Sequence, residues 1–487
     1  MFILKKMKPL FILTIGLLFI FHCAFAEGVA NDISDSNTTE IENVESQNVE
    51  TEQESDSEST NQTETEDVKP WENVYISDED LVNEKLRYYN KLPDQKKVIG
   101  NGRLVSLLES DIPDVVVEDL KYTQYQIGTH YFLNLGSVVN VRATPHFKAP
   151  IRIKKYRYQR LSMDAVVEGE YSNKSASDRW YRVYWMDKDV KQYGYVFAPI
   201  VHKREFQFDK MIQAADLLKR EIDMNSTAYV SNYKNRNGWA PRYKGVAIDE
   251  YGAKREQSTP AYFHEADTTE FRYMTDGTLL SVHGETEEAY QVTAPGYEGI
   301  YFVPKKYVSF KNTIESLNKV VIVDRKNQNE ILLEHDGQKW NLVSRMLATT
   351  GVKAEHKEET DLGNFMVVEK KSKFLYLDDI TEEISGYAPF AIRFNGGAYV
   401  HGVPVNFKLV KETRVLQPAV LDEFGGILIP EVTEEVTVDR VDPGHAEYLS
   451  TIGTTPRSHK CVRNYTSHAK FVYNWTEVGQ TAVIVIE

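Results

Sequence analysis

The segment PRSHKCVRN, residues 456–464, sets one thiol among groups that favour its ionised form. Cys461 has His459 two residues before it, Lys460 beside it and Arg463 two residues after it. A thiol attacks as its thiolate, and a nearby base, cationic neighbours and a helix N-terminus each lower its pKa. A structural cysteine more often sits among apolar residues. Nucleophilic chemistry also needs a base. GGAYVHGVP, residues 396–404, offers His401 at the end of an expected strand and just before Gly402, a corner where the ring can be held rigidly over a cleft. His459 is the other candidate. His468 is expected inside a helix and His445 in a DPGH turn, so neither competes.

These residues need elements to position them. KVVIVDRKNQNEILLEHDGQKW, from residue 319, reads as a hairpin of two apolar strands around a polar turn, followed by a DGQ turn. NFMVVEKKSKFLYL reads as a further strand pair, and TAVIVI, 481–486, as a buried last strand. YTSHAKFVYNWTEV reads as a helix, with Asn464 as its N-cap and Gly479 as its stop. Upstream, VNVRATP, RWYRVYW and GYVFAPIV are short strands separated by polar turns, the pattern of a small barrel. FDKMIQAADLLKREI, 208–222, has apolar positions recurring at three and four, a connecting helix.

Two resemblances follow from these motifs. Residues 131–205 resemble a bacterial SH3-type domain, through the NVR opening strand, the Trp before a V-Y strand and the closing G-Y-V strand. Residues 226–312, ending in YEGIYFVPKKYVSF, resemble a diverged second copy joined through a helix over 206–225. Residues 318–487 resemble an L,D-transpeptidase catalytic domain of the YkuD type. The histidine-glycine pair is His401-Gly402, and the S-H-G-C-x-R signature is matched by SHKCVR, 458–463. TTG at 349–351 and TDLGNF at 360–365 resemble the family's upstream segments.

The expected fold class is therefore mainly β and multi-domain, with SH3-like small barrels followed by a β-sandwich-like catalytic domain. The resemblance implies Cys461 as nucleophile, His401 as base and the Gly402 carbonyl as the group orienting its ring. It also implies that Ser458 and His459 shape the pocket, and that the amides around Lys460 and Cys461 bind the oxyanion. Arg463, whose planar fork matches a carboxylate, would take one from the substrate. The substrates implied are peptidoglycan stem peptides, as donor and as acceptor. The thioester would pass to an amine, forming a cross-link, or to water, as in a carboxypeptidase. An inert wall-binding protein is the alternative; a papain-like enzyme fits poorly because its histidine follows the cysteine, and a sortase, whose order and spacing of histidine, cysteine and arginine are similar, places its cysteine after a Thr-rich strand that SHKC does not match. Two departures stand out. Lys460 replaces the family's glycine, at a cost of about 1–3 kcal/mol if its φ is positive, and Thr360-Asp361 replaces a Thr-Pro step. The 55 residues between Gly402 and Ser458 read as an insertion, expected to form a loop or hairpin capping the cleft.

Residues 1–26 resemble a secretory signal: Lys5, Lys6 and Lys8, an apolar run and a small-x-small site at Ala24-Phe25-Ala26. An uncleaved anchor needs a longer apolar run. Export to the periplasm or cell wall is the expectation, and cleavage would leave Cys461 as the single thiol. Residues 27–70 form an acidic, Ser/Thr-rich tether with no aromatic residue, too poor in apolar area to fold. This tether carries most of the formal charge of −15, so the remainder has no basic surplus to recommend nucleic acid as a partner. Residues 71–130 receive no assignment. No metal-ligand spacing and no phosphate-cradling glycine loop is present, so no cofactor and no metal are expected.

Overall fold

The computed structural model describes residues 75–76, 98–99, 102–108, 112–354, 357–377, 384–421, 427–441 and 451–487. Residues 1–26, expected to be an export signal, and 27–70, expected to be a tether, lie outside the described residues, as does His445. The protein is mainly β and divides into two compact units. Among the described residues, one unit holds 75–76, 98–99, 102–108 and 128–204, and the other holds those of 112–127 and 205–487.

In the first unit the strands Arg160–Ser172, Ser177–Asp187 and Val190–Phe197 form an antiparallel run. Leu161, Met163, Ala165 and Val167 alternate inward along the first of these, as a half-buried strand requires. They feed two adjoining clusters, one around Phe132, Val141 and Val183 and one around Trp180, Tyr195 and Phe197. The strand Gly102–Leu107, from the stretch left unassigned, pairs with Arg160–Ser172 on one side and with Val98–Ile99 on the other.

The second unit opens with the helix Phe208–Met224. Its buried Phe208, Met211, Ile212, Ala215, Leu218 and Ile222 recur every three or four residues. Rather than only connecting, it packs on the strands Lys319–Asp324 and Thr481–Ile486, and Asp216 accepts a 2.7 Å hydrogen bond from the Trp340 indole. Residues 226–309 then form a seven-stranded antiparallel sheet around Ala228, Val230, Met274, Leu280, Val292 and Val303.

The C-terminal part of this unit is two sheets face to face. The first runs Gly363–Met366, Thr481–Ile486, Lys319–Asp324, Asn329–His335, Trp340–Leu347 and Val116–Glu118. The expected hairpin from residue 319 is present, in register Asp324 to Asn329. The second sheet runs Val432–Val441, Val405–Gln417, Ile384–Asn395, Ala398–His401 and Val462–Arg463, with Glu369–Leu377 also on Ile384–Asn395. One core joins them: Val321, Val323, Val483 and Val485 from the first, and Ile392, Phe394, Val400 and Val462 from the second.

Three expectations are corrected. The two strands of NFMVVEKKSKFLYL do not pair with each other; one joins Thr481–Ile486 and the other Ile384–Asn395, with no turn residues between them to fold a hairpin. The last helix is Thr466–Trp475, with Tyr465 at its N-cap and no side-chain cap bond. Asn464 is buried and still follows the strand, its N–H donating to the His401 carbonyl at 2.8 Å, which places it one residue before the N-cap position. The helix ends at Thr476, and Gly479 belongs to the turn beyond, at φ 75°.

Candidate functional site

The short strand Ala398–His401 runs parallel to Val462–Arg463, with Val400 opposite Val462 and His401 opposite Arg463. Alternation sends Val400 and Val462 into the core and puts Tyr399, His401, Cys461 and Arg463 on the other face. Cys461 is level with Tyr399, which it touches. Cys461 and His401 therefore occupy diagonal positions on one face, with Cα atoms about 8 Å apart from strand rise and spacing. Two side chains on one face can close that distance.

His401 is completely buried, and its Nδ1 lies 2.6 Å from the Gly402 carbonyl oxygen. A carbonyl only accepts, so Nδ1 carries the proton. In the neutral ring that leaves Nε2 as the basic nitrogen. Gly402 allows this corner to form: a Cβ there would stand 2.9 Å from Pro389 Cγ and 3.1 Å from Thr466 Cα. Its own N–H is anchored on the Pro389 carbonyl at 2.8 Å.

Cys461 is also completely buried. It packs with Ala391 and Tyr399, and Phe374 lies against the same cluster. Its Sγ is 3.9 Å from the Gly397 carbonyl. The Phe374 and Tyr399 rings stack at 4.2 Å between centroids, so a pair of aromatic rings flanks the thiol. Burial and the neighbouring Tyr233 hold the Tyr399 hydroxyl well above its usual pKa, so it keeps its proton.

Lys460 adopts φ +66°, the left-handed conformation that glycine takes at little cost. Its surroundings hold it there. Its N–H donates to the Glu358 carbonyl at 2.7 Å, and its own carbonyl accepts from Thr360 Oγ1 at 2.8 Å. Its Nζ pairs with Asp361 at 2.9 Å and approaches Glu358 at 3.9 Å. Burial opposes the ammonium, yet Asp361 and Glu358 outweigh it and raise the lysine pKa. Glu358 responds in kind: burial works against its charge, but Lys460 and Lys254 hold its pKa below the usual value. The charge of Lys460 is thus matched by carboxylates.

The two upstream segments frame this loop. Thr349 exchanges both backbone hydrogen bonds with Arg463, at 2.9 and 2.8 Å, and Gly351 bridges Ser458. A Cβ at Gly351 would fall 2.3 Å from the Glu358 carbonyl, which explains glycine there. Ser458 is buried and donates its hydroxyl to the Cys461 carbonyl. The His459 carbonyl accepts from the Cys461 N–H at 2.8 Å. Both amides named for the oxyanion are thus engaged, one by Glu358 and one by His459.

A cavity of about 1340 Å³ opens beside the loop, with Gly397, Tyr399, His459 and Lys460 on its wall. Tyr233, Gln257, Arg272 and Tyr297 of the preceding sheet line it too. Arg463 is buried and lies outside this lining, and no described residue of 405–441 reaches it. The insertion does form a long hairpin, Val405–Gln417 against Val432–Val441, and none of its described residues lines this cavity.

Sequence reading missed two features. Asp276 and Arg393 form a buried 2.5 Å ion pair that locks the preceding sheet to the strand leading into the Gly396-Gly397 turn. Asn395 ties the same turn to Asp361 at 2.8 Å and Thr275 at 3.0 Å. Elsewhere Glu330 and His468, both completely buried, face each other at 3.3 Å. Burial pushes the Glu330 carboxyl up to about 8 and the His468 imidazole down to about 3. Glu330 sits in NQNEILLEH, which reads as the mouth of a turn, so only the fold reveals its burial.

No family model and no curated protein matches the sequence. Among solved structures, a fused Zn-dependent amidase/peptidase/peptidoglycan-binding domain-containing protein from Clostridium acetobutylicum is similar at 16% identity, covering 36% of this chain and 53% of that one, TM-score 0.21. The chain thus spans about half the length of that protein. An L,D-transpeptidase from Mycobacterium smegmatis is similar at 14% identity, covering 47% of this chain and 77% of that one, TM-score 0.23. L,D-transpeptidase 3 from Mycobacterium tuberculosis, in complex with a faropenem-derived adduct, is similar at 16% identity, covering 42% and 79%, TM-score 0.22.

Proposed function

We propose that this protein is an exported cysteine acyltransferase, an L,D-transpeptidase acting on peptidoglycan stem peptides in the periplasm or cell wall. The observation that carries the reading is the His401 Nδ1 contact to the Gly402 carbonyl, which leaves Nε2 basic on the face that also bears Cys461. In this reading His401 takes the thiol proton as sulfur attacks the carbonyl before a terminal D-amino acid. The C–N bond breaks, and the imidazolium returns its proton to the leaving amine. A thioester remains. An amine from a second stem displaces the sulfur to form a cross-link, or water does so to leave a trimmed peptide.

Two rearrangements belong to the cycle. The Phe374–Tyr399 pair has to part for a peptide to reach the thiol. The Glu358 carbonyl has to release the Lys460 N–H if that amide is to bind the oxyanion, a role that contributes about 3–4 kcal/mol per donor in such steps. The barrel-like strands over 131–205 and the sheet over 226–309 support SH3-type modules that hold the enzyme at the wall.

The burial of Cys461 favours a second reading, an inert wall-binding protein. Mass spectrometry of stem peptides incubated with the protein and with Cys461→Ala separates the two. Release of the terminal D-residue by the wild type alone supports the enzyme; no release by either supports the binder.

A further inference from the structure

Arg272 sits on the strand Phe271–Thr275 at the edge of the sheet that precedes the catalytic sandwich. Its guanidinium lies over the Tyr251 ring at 4.1 Å and over the Tyr297 ring at 4.4 Å. Such contacts hold the flat fork in place while leaving its N–H edge available. Two other cations on the cavity wall are matched by carboxylates: Lys254 pairs with Glu358 at 2.6 Å and Lys460 with Asp361 at 2.9 Å. Arg272 has no carboxylate partner among the described residues, and its buried Nε has no hydrogen-bond acceptor. A guanidinium left this way favours any acceptor that enters.

Its position relates it to the thiol. Arg272 lines the same cavity as His459 and Lys460. Tyr297, one of its two rings, is close enough to Asp361 to feel its charge, and Asp361 pairs with Lys460. The turn before Tyr297 is fastened to the catalytic domain by a 2.9 Å bond from Asn364 Nδ2 to the Pro295 carbonyl. The cavity also exceeds the roughly 300–1,000 Å³ of a drug-sized site, which suits an extended peptide.

We propose that Arg272 is a substrate-binding residue that takes a free carboxylate of the peptide, so that the preceding sheet supplies one wall of the substrate cleft. The inference rests on the stem-peptide reading above. A monoanionic carboxylate fits better than a phosphate, because Glu358 and Asp361 in the same cavity oppose a dianion. The fork makes two parallel bonds to one carboxylate.

The test uses the full-length chain with Cys461→Ala, which binds without turnover. Calorimetry compares a tetrapeptide stem with the same peptide amidated at its carboxylates, in the parent and with Arg272→Gln or Arg272→Lys added. The expected result is a loss of about 10- to 100-fold for the free acid with Arg272→Gln, and a smaller loss with Arg272→Lys. The amidated peptide binds equally to all three. In the active chain the same substitution raises KM and leaves kcat. Carboxylate-dependent binding without wild-type turnover would remove the transpeptidase reading and leave the site. Equal binding of the free acid by parent and Arg272→Gln, an equal loss for both peptides, or no binding to the parent overturns the proposal.

Discussion

Two buried histidines sit within one short stretch of structure and do opposite things. His401 is fixed through Nδ1 on a backbone carbonyl, and its other nitrogen lies on the face shared with Cys461. His468 instead has Nε2 at 2.9 Å from Ser344 Oγ and Nδ1 facing the buried Glu330 at 3.3 Å. Both rings are completely buried, so burial does not separate them. The distinction is the second nitrogen. One histidine has a backbone acceptor that fixes its tautomer, with Nε2 as the basic nitrogen; the other is absorbed into a core pair whose members burial drives toward neutrality.

The largest effect expected from this contrast is on turnover. Cys461→Ala abolishes acyl transfer, and His401→Gln lowers kcat by about 10²–10⁴-fold with little change in Tm. Steady-state kinetics beside a thermal melt checks both. His468→Gln is the counterpart: it lowers stability, while kcat in the folded fraction changes little.

Next comes pH. The Glu330 pKa is raised on folding, so its favourable contribution is complete below about 4.5 and is lost as pH rises through about 8. The His468 pKa is depressed, so its contribution is present above about 6.5 and is lost as pH falls toward about 3. Stability should therefore fall on both sides of a mildly acidic range, by an amount on the order of a few kcal/mol. Glu330→Gln should remove the alkaline limb alone. Urea melts across pH 4–9 test it, and an unchanged alkaline limb contradicts the assignment.

Lys460 gives a smaller effect. Lys460→Ala keeps the φ +66° strain, strips Asp361 of its cation and leaves Glu358 with Lys254 alone, whereas Lys460→Gly loses the same cation but relieves the strain. The glycine variant should be the more stable of the two by about 1 kcal/mol. The smallest effect belongs to Lys411–Glu435, an exposed 3.5 Å pair on the hairpin arm, where replacing either residue by Ala should stay within about 0.5 kcal/mol.

What the sequence made legible was local. The order of residues around Cys461, the glycine after His401 and the apolar alternation of the strands each show their physics within a few positions. Lys460 also belongs here, because a non-glycine residue at a glycine position announces a backbone cost. The unread parts depend on partners far along the chain. Glu330 meets His468 across 138 positions, Asp276 meets Arg393 across 117, and Arg272 acquires its rings from Tyr251 and Tyr297. No window of sequence holds both halves of such a pair. Asn464 was misread for a related reason: its type favours a cap, but the parallel pairing with the histidine strand extends one residue further and claims it.

The central claim is that Cys461 and the Nε2 of His401 work together as nucleophile and base. Intact-protein mass spectrometry after incubation with a carbapenem tests it most directly. The account predicts one drug mass on the wild-type chain, none on Cys461→Ala and a much slower gain on His401→Gln. A wild-type chain that stays unmodified, or a His401→Gln chain acylated at the wild-type rate, would contradict it.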